Sequence, residues 1–295
     1  MFSQFFGSYL LNNSLVTAKD LTQAFEDKKN TRMKLGVLAI NKGLMTAAQV
    51  EYVNATQQQV DKRFGDLAVE LGYITEKDVD ELLSEQPADY LILGQTLVNN
   101  GALTSAQFES AINDYKAKYL LSDEDMNRNQ ADKISKLIED FYHFGTAENA
   151  RICTQYAIML LKNIIRFIGD DFTPLEAFVV SEFESKYIVN QNIEGEKFNG
   201  KICIASDKAE YIELAQRFAK EEFNEVDDFV NATVGEFLNV VNGLFVVNTS
   251  NENGVELSLT PQELISTGKV TFPAPAFCMP IAFSFGEIDF IISCK

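Results

Sequence analysis

The strongest constraint on this chain is a short pattern that recurs four times at a step of 29 residues. Its first position is a glycine that follows Phe or Leu, at Gly7, Gly36, Gly65 and Gly94. Seven residues later comes a second small residue, at Ser14, Gly43, Gly72 and Gly101, and three residues after it a threonine, at Thr17, Thr46, Thr75 and Thr104. A fixed step without insertions is typical of repeats that stack on one another. We therefore predict an α-helical repeat domain over residues 1–120.

Each copy carries the signals of two helices joined by a turn. In the second copy, LGVLAINKG has apolar residues at helical spacing and ends at Gly43, which suits the positive φ of a helix C-terminus. Thr46 then opens a capping box with Gln49, and Met45 and Val50 can form a hydrophobic staple. The corresponding capping pairs are Thr17 with Asp20, Thr75 with Asp78 and Thr104 with Gln107. These signals predict four helix-turn-helix units.

A different organisation begins after the repeats. Residues 121–130 are polar and acidic without apolar periodicity, so we interpret them as a linker. Residues 131–295 combine helical stretches, one of them at about 225–242, with strand-length runs rich in β-branched and aromatic residues, among them GLFVVNTS at 243–250. Hairpin spacing of these runs predicts an α+β domain with an antiparallel sheet and long helices.

Composition excludes several kinds of protein. With 25 Lys and Arg against 43 Asp and Glu, the formal net charge of −18 has the wrong sign for a protein that binds DNA through its phosphates. The single histidine, His143, cannot form a histidine-rich metal site, and neither a GxGxxG nor a GxxxxGK[ST] motif occurs. No uncharged apolar run is long enough to span a membrane, and the four cysteines form no CxxC pair. We therefore expect a cytoplasmic protein with reduced cysteines and no metal site of its own.

The stretch VDDFVNATVGEFLNVVNG places two polar residues opposite an apolar stripe. At about 100° per residue, one side of a helix collects Val226, Val230, Val234, Phe237 and Val241. Glu236 and Asn239 fall on the other side, next to the small residues Ala232 and Gly243. The pattern predicts an accessible Glu and Asn on one helix face, although the same pattern is also typical of an ordinary solvated face.

This helix resembles the glutamate-x-x-asparagine helix of the CheC/CheX chemotaxis phosphatases, and the likeness extends over about residues 130–295. Gly235, Gly243 and Pro261 fit the glycines and the proline-marked loop that accompany the helix in that family. The resemblance implies a CheX-like fold. It also implies an enzyme that hydrolyses the aspartyl phosphate of a phosphorylated CheY-like response regulator. In that reaction Asn239 would orient the attacking water, and Glu236 would form a salt bridge with a lysine of the regulator.

The same resemblance gives expectations about cofactor and partner. Mg²⁺ would be bound by carboxylates of the regulator, so this chain would need no cofactor of its own, and a homodimer is left open. Docking to the regulator would involve Ala232, Gly235, Gly243 and Pro261. Ala232 departs from the family, which often has an acidic or hydroxyl residue there, so docking is the step that this departure affects.

The second and third repeats, residues 34–57 and 63–86, resemble the tandem motif in the N-terminal domain of type II secretion and type IV pilus ATPases (MshEN-like). In some members that domain binds cyclic di-GMP. The candidate nucleotide-binding residues are Lys34, Leu35, Gly36, Gly43, Gln57, Arg63, Phe64, Gly65, Gly72 and Gln86. Lys34 stands where the family has arginine; it keeps the charge but loses the planar guanidinium. The same residues also suit repeats with a purely structural or protein-binding role.

Three hypotheses about function follow. The chain is a phosphatase of phosphorylated response regulators with an N-terminal regulatory or targeting domain. Alternatively, it is a non-enzymatic signalling scaffold or cyclic di-GMP sensor that docks a receiver protein without hydrolysing its phosphate. The third hypothesis is an interaction protein without a ligand. Glu236 and Asn239 favour the first hypothesis, because they are the two side chains that the reaction needs.

Overall fold

A computed structural model describes residues 1–85, 87–128, 131–145, 148–196, 198–254, 256–265 and 268–294. The chain divides into two compact units, Phe2–Gln130 and Ala131–Lys295. Each unit has its own buried apolar residues, and the candidate phosphatase residues all belong to the second.

The first unit is helical throughout. Its helices are α1 (Phe2–Asn12), α2 (Ala18–Lys28), α3 (Leu35–Asn41), α4 (Ala47–Gln57), α5 (Phe64–Glu70), α6 (Glu76–Ser84), α7 (Asp89–Asn99), α8 (Ser105–Lys118) and α9 (Asp123–Arg128). The first eight form four consecutive pairs, one for each copy of the 29-residue pattern.

The predicted helix caps are present in every pair. The four threonine side chains each accept a hydrogen bond from the backbone N–H three residues on, and each partner side chain accepts in return from the threonine N–H. Gly43, Gly72 and Gly101 have φ of +68°, +73° and +77°, the left-handed geometry expected after a helix. Ser14 adopts the same geometry in the first pair, at φ +54°. The caps therefore set the helix starts and ends that the sequence predicted.

We expected consecutive repeats to stack on one another, but the four helix pairs do not pack in sequence order. The first pair packs on the fourth, the fourth also packs on the second, and the second packs on the third. Aromatic residues hold the ends of the series together: Phe6 of α1 contacts Tyr90, Phe108 and Tyr115 of the fourth pair. The Tyr115 hydroxyl also donates to the Phe2 carbonyl at 3.1 Å. Burial of these rings favours packing of the first pair on the fourth.

The acidic stretch that we interpreted as a linker contains helix α9. The Ser122 hydroxyl and backbone N–H both donate to Asp125 Oδ2, which gives this helix a cap of its own. Leu121 and Met126 are buried. Two apolar side chains in a polar sequence are enough to fix the segment, and the helical unit extends beyond residue 120.

The second unit has four helices and a sheet. One helix lies at the start of the unit, and the other three cover the sheet. The helices are α10 (Ala131–Tyr142), α11 (Glu148–Phe167), α12 (Lys208–Ala219) and α13 (Asp228–Asn253). The strands are β1 (Phe172–Pro174), β2 (Phe178–Glu184), β3 (Tyr187–Gly195), β4 (Gly200–Ser206), β5 (Leu257–Leu259), β6 (Glu263–Leu264), β7 (Lys269–Phe283) and β8 (Gly286–Cys294). This order agrees with the predicted α+β class.

The sheet is antiparallel, in the order β1-β7-β8-β4-β3-β5, with β2 also paired to β7 and β6 to β3. Helices α11, α12 and α13 pack on β3, β4 and β8. The β7–β8 hairpin turns between Phe283 and Gly286. Because β5 and β6 both pair with β3, the segment that joins them lies over the middle of β3.

The strand predicted at residues 243–250 is wrong, since these residues form the last turns of α13. Their β-branched and aromatic composition suggested a strand, but Val241, Phe245 and Thr249 are buried at intervals of four, which continues the helix stripe. By length and composition alone, Asp228–Asn251 could also cross a membrane; 44% of its apolar window is buried within the protein. Such a helix is common in the core of globular proteins.

Candidate functional site

Helix α13 presents Glu236 and Asn239 on one face. It begins at Asp227, whose side chain accepts from the Val230 N–H at 2.8 Å, and ends before Gly254, at φ +63°. Of the predicted apolar stripe, Val226 precedes the helix, and the other four residues are buried: Val230, Val234, Phe237 and Val241. Glu236 is exposed and Asn239 half-buried, with Asn239 Nδ2 3.4 Å from Glu236 Oε2. The two side chains therefore stand side by side, accessible to a partner.

A buried glutamine that we did not predict, Gln191, forms a hydrogen bond with Asn239 on the side that faces the sheet. Gln191, on β3, donates from Nε2 to Asn239 Oδ1 at 2.9 Å and to the Thr260 carbonyl at 2.8 Å. Its Oε1 accepts from Asn242 Nδ2 at 2.9 Å. The signal that could have revealed it is the polar run NQN at 190–192 in an otherwise apolar strand, because a buried polar side chain needs a specific partner.

The proline-marked loop lies beside α13. Thr260 bridges to β3, where its N–H donates to the Asn192 carbonyl and its Oγ1 accepts from the Asn192 N–H, both at 3.1 Å. A Cβ added at Gly235 would lie 3.5 Å from Gln262 Cβ, so the glycine sits directly against this loop. The structure thus brings together Gly235, the residues next to Pro261 and the Glu236–Asn239 pair.

The other two predicted docking residues lie on open surface. Ala232 is exposed, and a Cβ added at Gly243 would meet no atom within 4 Å. Phe229, one turn before Ala232, is 56% exposed although its ring also packs against Phe223. The helix face around Glu236 is therefore small or apolar as well as accessible, which suits contact with another protein.

A half-buried carboxylate elsewhere in the sheet, Asp289, has a strongly shifted pKa. Burial, with a smaller contribution from the negative charge of Glu287, raises the pKa of Asp289 to about 6. The Cys278 thiol donates to Asp289 Oδ1 at 3.4 Å, which opposes this rise.

Among the residues that the structure describes, no group of three or more His, Cys, Asp and Glu side chains could hold a metal ion.

The first unit contains a groove where several predicted nucleotide-binding residues meet. It has a volume of about 640 Å³ and is lined by Lys34, Leu35, Gly36, Gln57 and Phe64, together with residues of α7 and α8. Gln95 of α7 lines it too and is only 1% exposed. Its Nε2 donates to Asn99 Oδ1 at 2.9 Å, while its buried Oε1 has no hydrogen-bond partner in the described part of the chain. Lys34 Nζ donates to the same Asn99 oxygen at 3.0 Å.

The remaining predicted nucleotide-binding residues are not among those that line this groove. Gly43 and Gly72 end helices, Arg63 is exposed before α5, and Gln86 lies outside the described residues. Gly65 lines a smaller groove of about 340 Å³ together with Asp66, Glu70, Glu76 and Asp80. Four carboxylates disfavour an anionic ligand there. The two motifs thus contribute unequally, because the third pair does not pack on the fourth as the second pair does.

Comparison with known families concerns the second unit. Residues 187–285 match the family model of the chemotaxis phosphatase CheX. This CheX-matched segment runs from β3 to the β7–β8 turn and contains Gln191, Glu236, Asn239 and Pro261. The resemblance predicted from the glutamate-x-x-asparagine helix is thereby confirmed for this segment. The match does not extend to the helical first unit.

Solved structures give similarities over about half of the chain. CheX of Desulfovibrio desulfuricans is 16% identical over 49% of this chain and 99% of its own, with a TM-score of 0.43. A CheC-like protein of Shewanella oneidensis is 18% identical over 50% and 99%, with a TM-score of 0.44. The CheX–CheY–BeF₃–Mg²⁺ complex of Borrelia burgdorferi is 19% identical over 49% and 97%, with a TM-score of 0.43. Among curated proteins, none matches this chain.

Proposed function

We propose that the second unit dephosphorylates a phosphorylated CheY-like response regulator. The observation that carries the proposal is the side-by-side placement of Glu236 and Asn239 on the accessible face of α13, within the CheX-matched segment. An accessible face is needed because the substrate is a protein whose active site must close over these side chains. The small and apolar surroundings of the pair suit such docking.

The chemistry assigned to each side chain follows from what the reaction needs. A water oxygen attacks phosphorus in line, the bond to the aspartyl oxygen breaks, and inorganic phosphate and a free carboxylate result. Asn239 would hold this water, since a carboxamide both donates and accepts hydrogen bonds. Glu236 would pair with a lysine of the regulator and so fix the orientation of the two proteins. Mg²⁺ would be bound by carboxylates of the regulator, where it neutralises the phosphoryl charge.

The test is the decay of a phosphorylated CheY-type receiver with and without the full chain. We expect the native protein to accelerate decay and Asn239→Ala to reduce the accelerated rate about 100-fold, as loss of one positioned polar group does in other enzymes. Asn248→Ala is the matched control, because Asn248 is an exposed asparagine on the same helix. An unchanged decay rate with native protein would contradict the proposal and leave the second and third hypotheses, docking without hydrolysis and an interaction protein without a ligand.

We also propose that the groove of the first unit binds an anionic dinucleotide such as cyclic di-GMP. The supporting observation is the combination of Lys34 and the ring of Phe64 around one groove of about 640 Å³. This volume lies within the range of small-molecule sites, roughly 300–1,000 Å³. The lysine can pair with a phosphate, and the ring can stack on a base. The first unit would then regulate or target the second.

Titration calorimetry of the full chain with cyclic di-GMP tests this second proposal. We expect measurable binding heat that Lys34→Ala abolishes, whereas Lys77→Ala, an exposed lysine of α6 away from the groove, leaves it unchanged. Absence of heat and of any thermal shift with native protein would leave the first unit with a structural or protein-binding role.

A further inference from the structure

A continuous chain of buried amides runs beneath the candidate catalytic asparagine. The Tyr156 hydroxyl donates to Asn242 Oδ1, Asn242 Nδ2 donates to Gln191 Oε1, and Gln191 Nε2 donates to Asn239 Oδ1, each at 2.9 Å. Tyr156 and Asn242 are fully buried, and Gln191 is 1% exposed. Only the last member, Asn239, reaches the surface. An amide at the end of such a chain cannot rotate independently of the groups behind it.

The direction of these hydrogen bonds is set by a backbone carbonyl. The Thr260 carbonyl can only accept, so the Gln191 atom 2.8 Å from it must be the NH₂ group. Both hydrogens of that group are then used, one on Thr260 and one on Asn239. A reversed Asn239 amide would place two donors against each other in a buried position. Asn239 therefore turns its oxygen inward and its NH₂ outward, towards Glu236 Oε2.

The loop geometry explains why this carbonyl is available. Strand β5 pairs with β3 up to Ile193, and β6 pairs again from Asn190, so the loop between them leaves the ladder opposite Gln191. The Thr260 carbonyl accepts from a side chain there instead of from a strand N–H. Gln191 consequently connects the proline-marked loop to Asn239, which lies 48 residues away in sequence.

We propose that Gln191 is a positioning residue for the dephosphorylation. It holds the Asn239 amide in one orientation before the regulator docks, with the NH₂ group turned outward, where its second N–H can donate to the attacking water. This inference rests on the proposed function. Because Gln191 is buried beneath the surface that the partner would contact and bonds directly to Asn239, we expect its main effect on the chemical step.

Two substitutions at Gln191 separate hydrogen bonding from packing. Gln191→Met keeps the length of the side chain without its hydrogen bonds, and Gln191→Glu keeps its shape but replaces the donor by an acceptor. We expect each to lower kcat about 10- to 100-fold, the effect of a misplaced reacting group, with KM for the phosphorylated receiver within about twofold. Wild-type kcat in both folded variants, or a rise in KM alone, would overturn the proposal.

Asn190→Leu is the matched control. Asn190 is the preceding residue of β3, is equally buried and also binds the loop, through its Nδ2 and the Glu263 carbonyl at 3.2 Å. No hydrogen bond joins it to Asn239 among the described residues. We expect this variant to keep the wild-type kcat, and circular dichroism to show that all three variants fold. A loss of kcat as large as that of Gln191→Met would mean that any disturbance of strand and loop suffices, and would overturn the proposal.

A measurement on the native protein does not depend on activity. In NMR spectra of side-chain amides, we expect the Gln191 NH₂ to exchange slowly with solvent and the Asn239 NH₂ to exchange rapidly. Fast exchange of both groups would overturn the positioning role even if the protein is a phosphatase. Conversely, slow exchange at Gln191 in a protein that does not accelerate receiver decay would reject the proposed function while supporting the buried hydrogen bonds of Gln191.

Discussion

Asp289 makes the stability of the second unit depend on pH. Its pKa in the fold, about 6, lies above its ordinary value of 3.8 because the carboxyl is largely buried. The folded state therefore binds a proton more tightly than the unfolded chain, and stability falls as pH rises between these two values. Well above pH 6 the carboxylate is charged in both the folded and the unfolded state, and the loss of folding free energy caused by its burial is complete.

Asp289→Asn removes this titration. Relative to wild type, we expect the variant to gain about 1–3 kcal/mol in free energy of unfolding at pH 8, and to gain nothing from this source below about pH 4. Urea unfolding at the two pH values measures the difference. The same difference at both would show that the Asp289 ionisation is not coupled to folding.

Residue-level prediction succeeded where the information is local. The angular positions of Glu236 and Asn239 on a helix follow from their spacing alone, and both reach the surface as predicted. Gln191 could not be assigned in this way, because its role depends on the pairing of β3 with a loop about 70 residues later. The unequal contributions of the second and third repeats to the groove likewise depend on which helix pairs meet.

At the scale of elements, the glycines that open each copy allow helices to approach closely. A Cβ added at Gly94 of α7 would lie 2.1 Å from Cε2 of Phe108, a ring that is itself 1% exposed. Gly36 is similarly close to Val50 Cγ1, at 2.5 Å. These positions explain the repeated glycine by helix packing within each pair.

Gly94→Ala and Gly243→Ala should change stability in opposite directions. We expect the first to lower the free energy of unfolding by about 1–3 kcal/mol or more, because the buried ring has no room to move. The second lies inside α13 with no atom within 4 Å of the new methyl group, so we expect a gain of about 0.5–1 kcal/mol. Urea unfolding followed by circular dichroism measures both. A tolerated Gly94→Ala would contradict the packing role.

Element boundaries were predictable where a cap marks them, and not elsewhere. The threonine capping boxes placed the starts of α2, α4, α6 and α8 correctly. The end of α13 was placed too early because the valines and phenylalanine of residues 243–250 suggested a strand. Tertiary burial of one face outweighed this local preference.

At the scale of the whole molecule, the division at residues 130 and 131 separates two proposed activities. Gln191, Glu236, Asn239 and Pro261 all lie in Ala131–Lys295, which has its own sheet and core. We expect a fragment of residues 131–295 to fold and to dephosphorylate the receiver with the kcat of the full chain. Receiver decay assays on both proteins make the comparison. A lower kcat in the fragment would show that the first unit contributes to catalysis.

The packing of the first helix pair on the fourth has a consequence for how the helical unit folds. The contact between Phe2 and Tyr115 closes a loop of more than a hundred residues, and Lys34 and Asn99 close another of 65. In a linear repeat array, each unit adds to its neighbour and the ends can fray independently. Here the ends are joined, so folding waits on a long-range encounter. The unit should therefore fold slowly for an all-helical protein, in one cooperative step, and lose its whole structure when its first helix is removed.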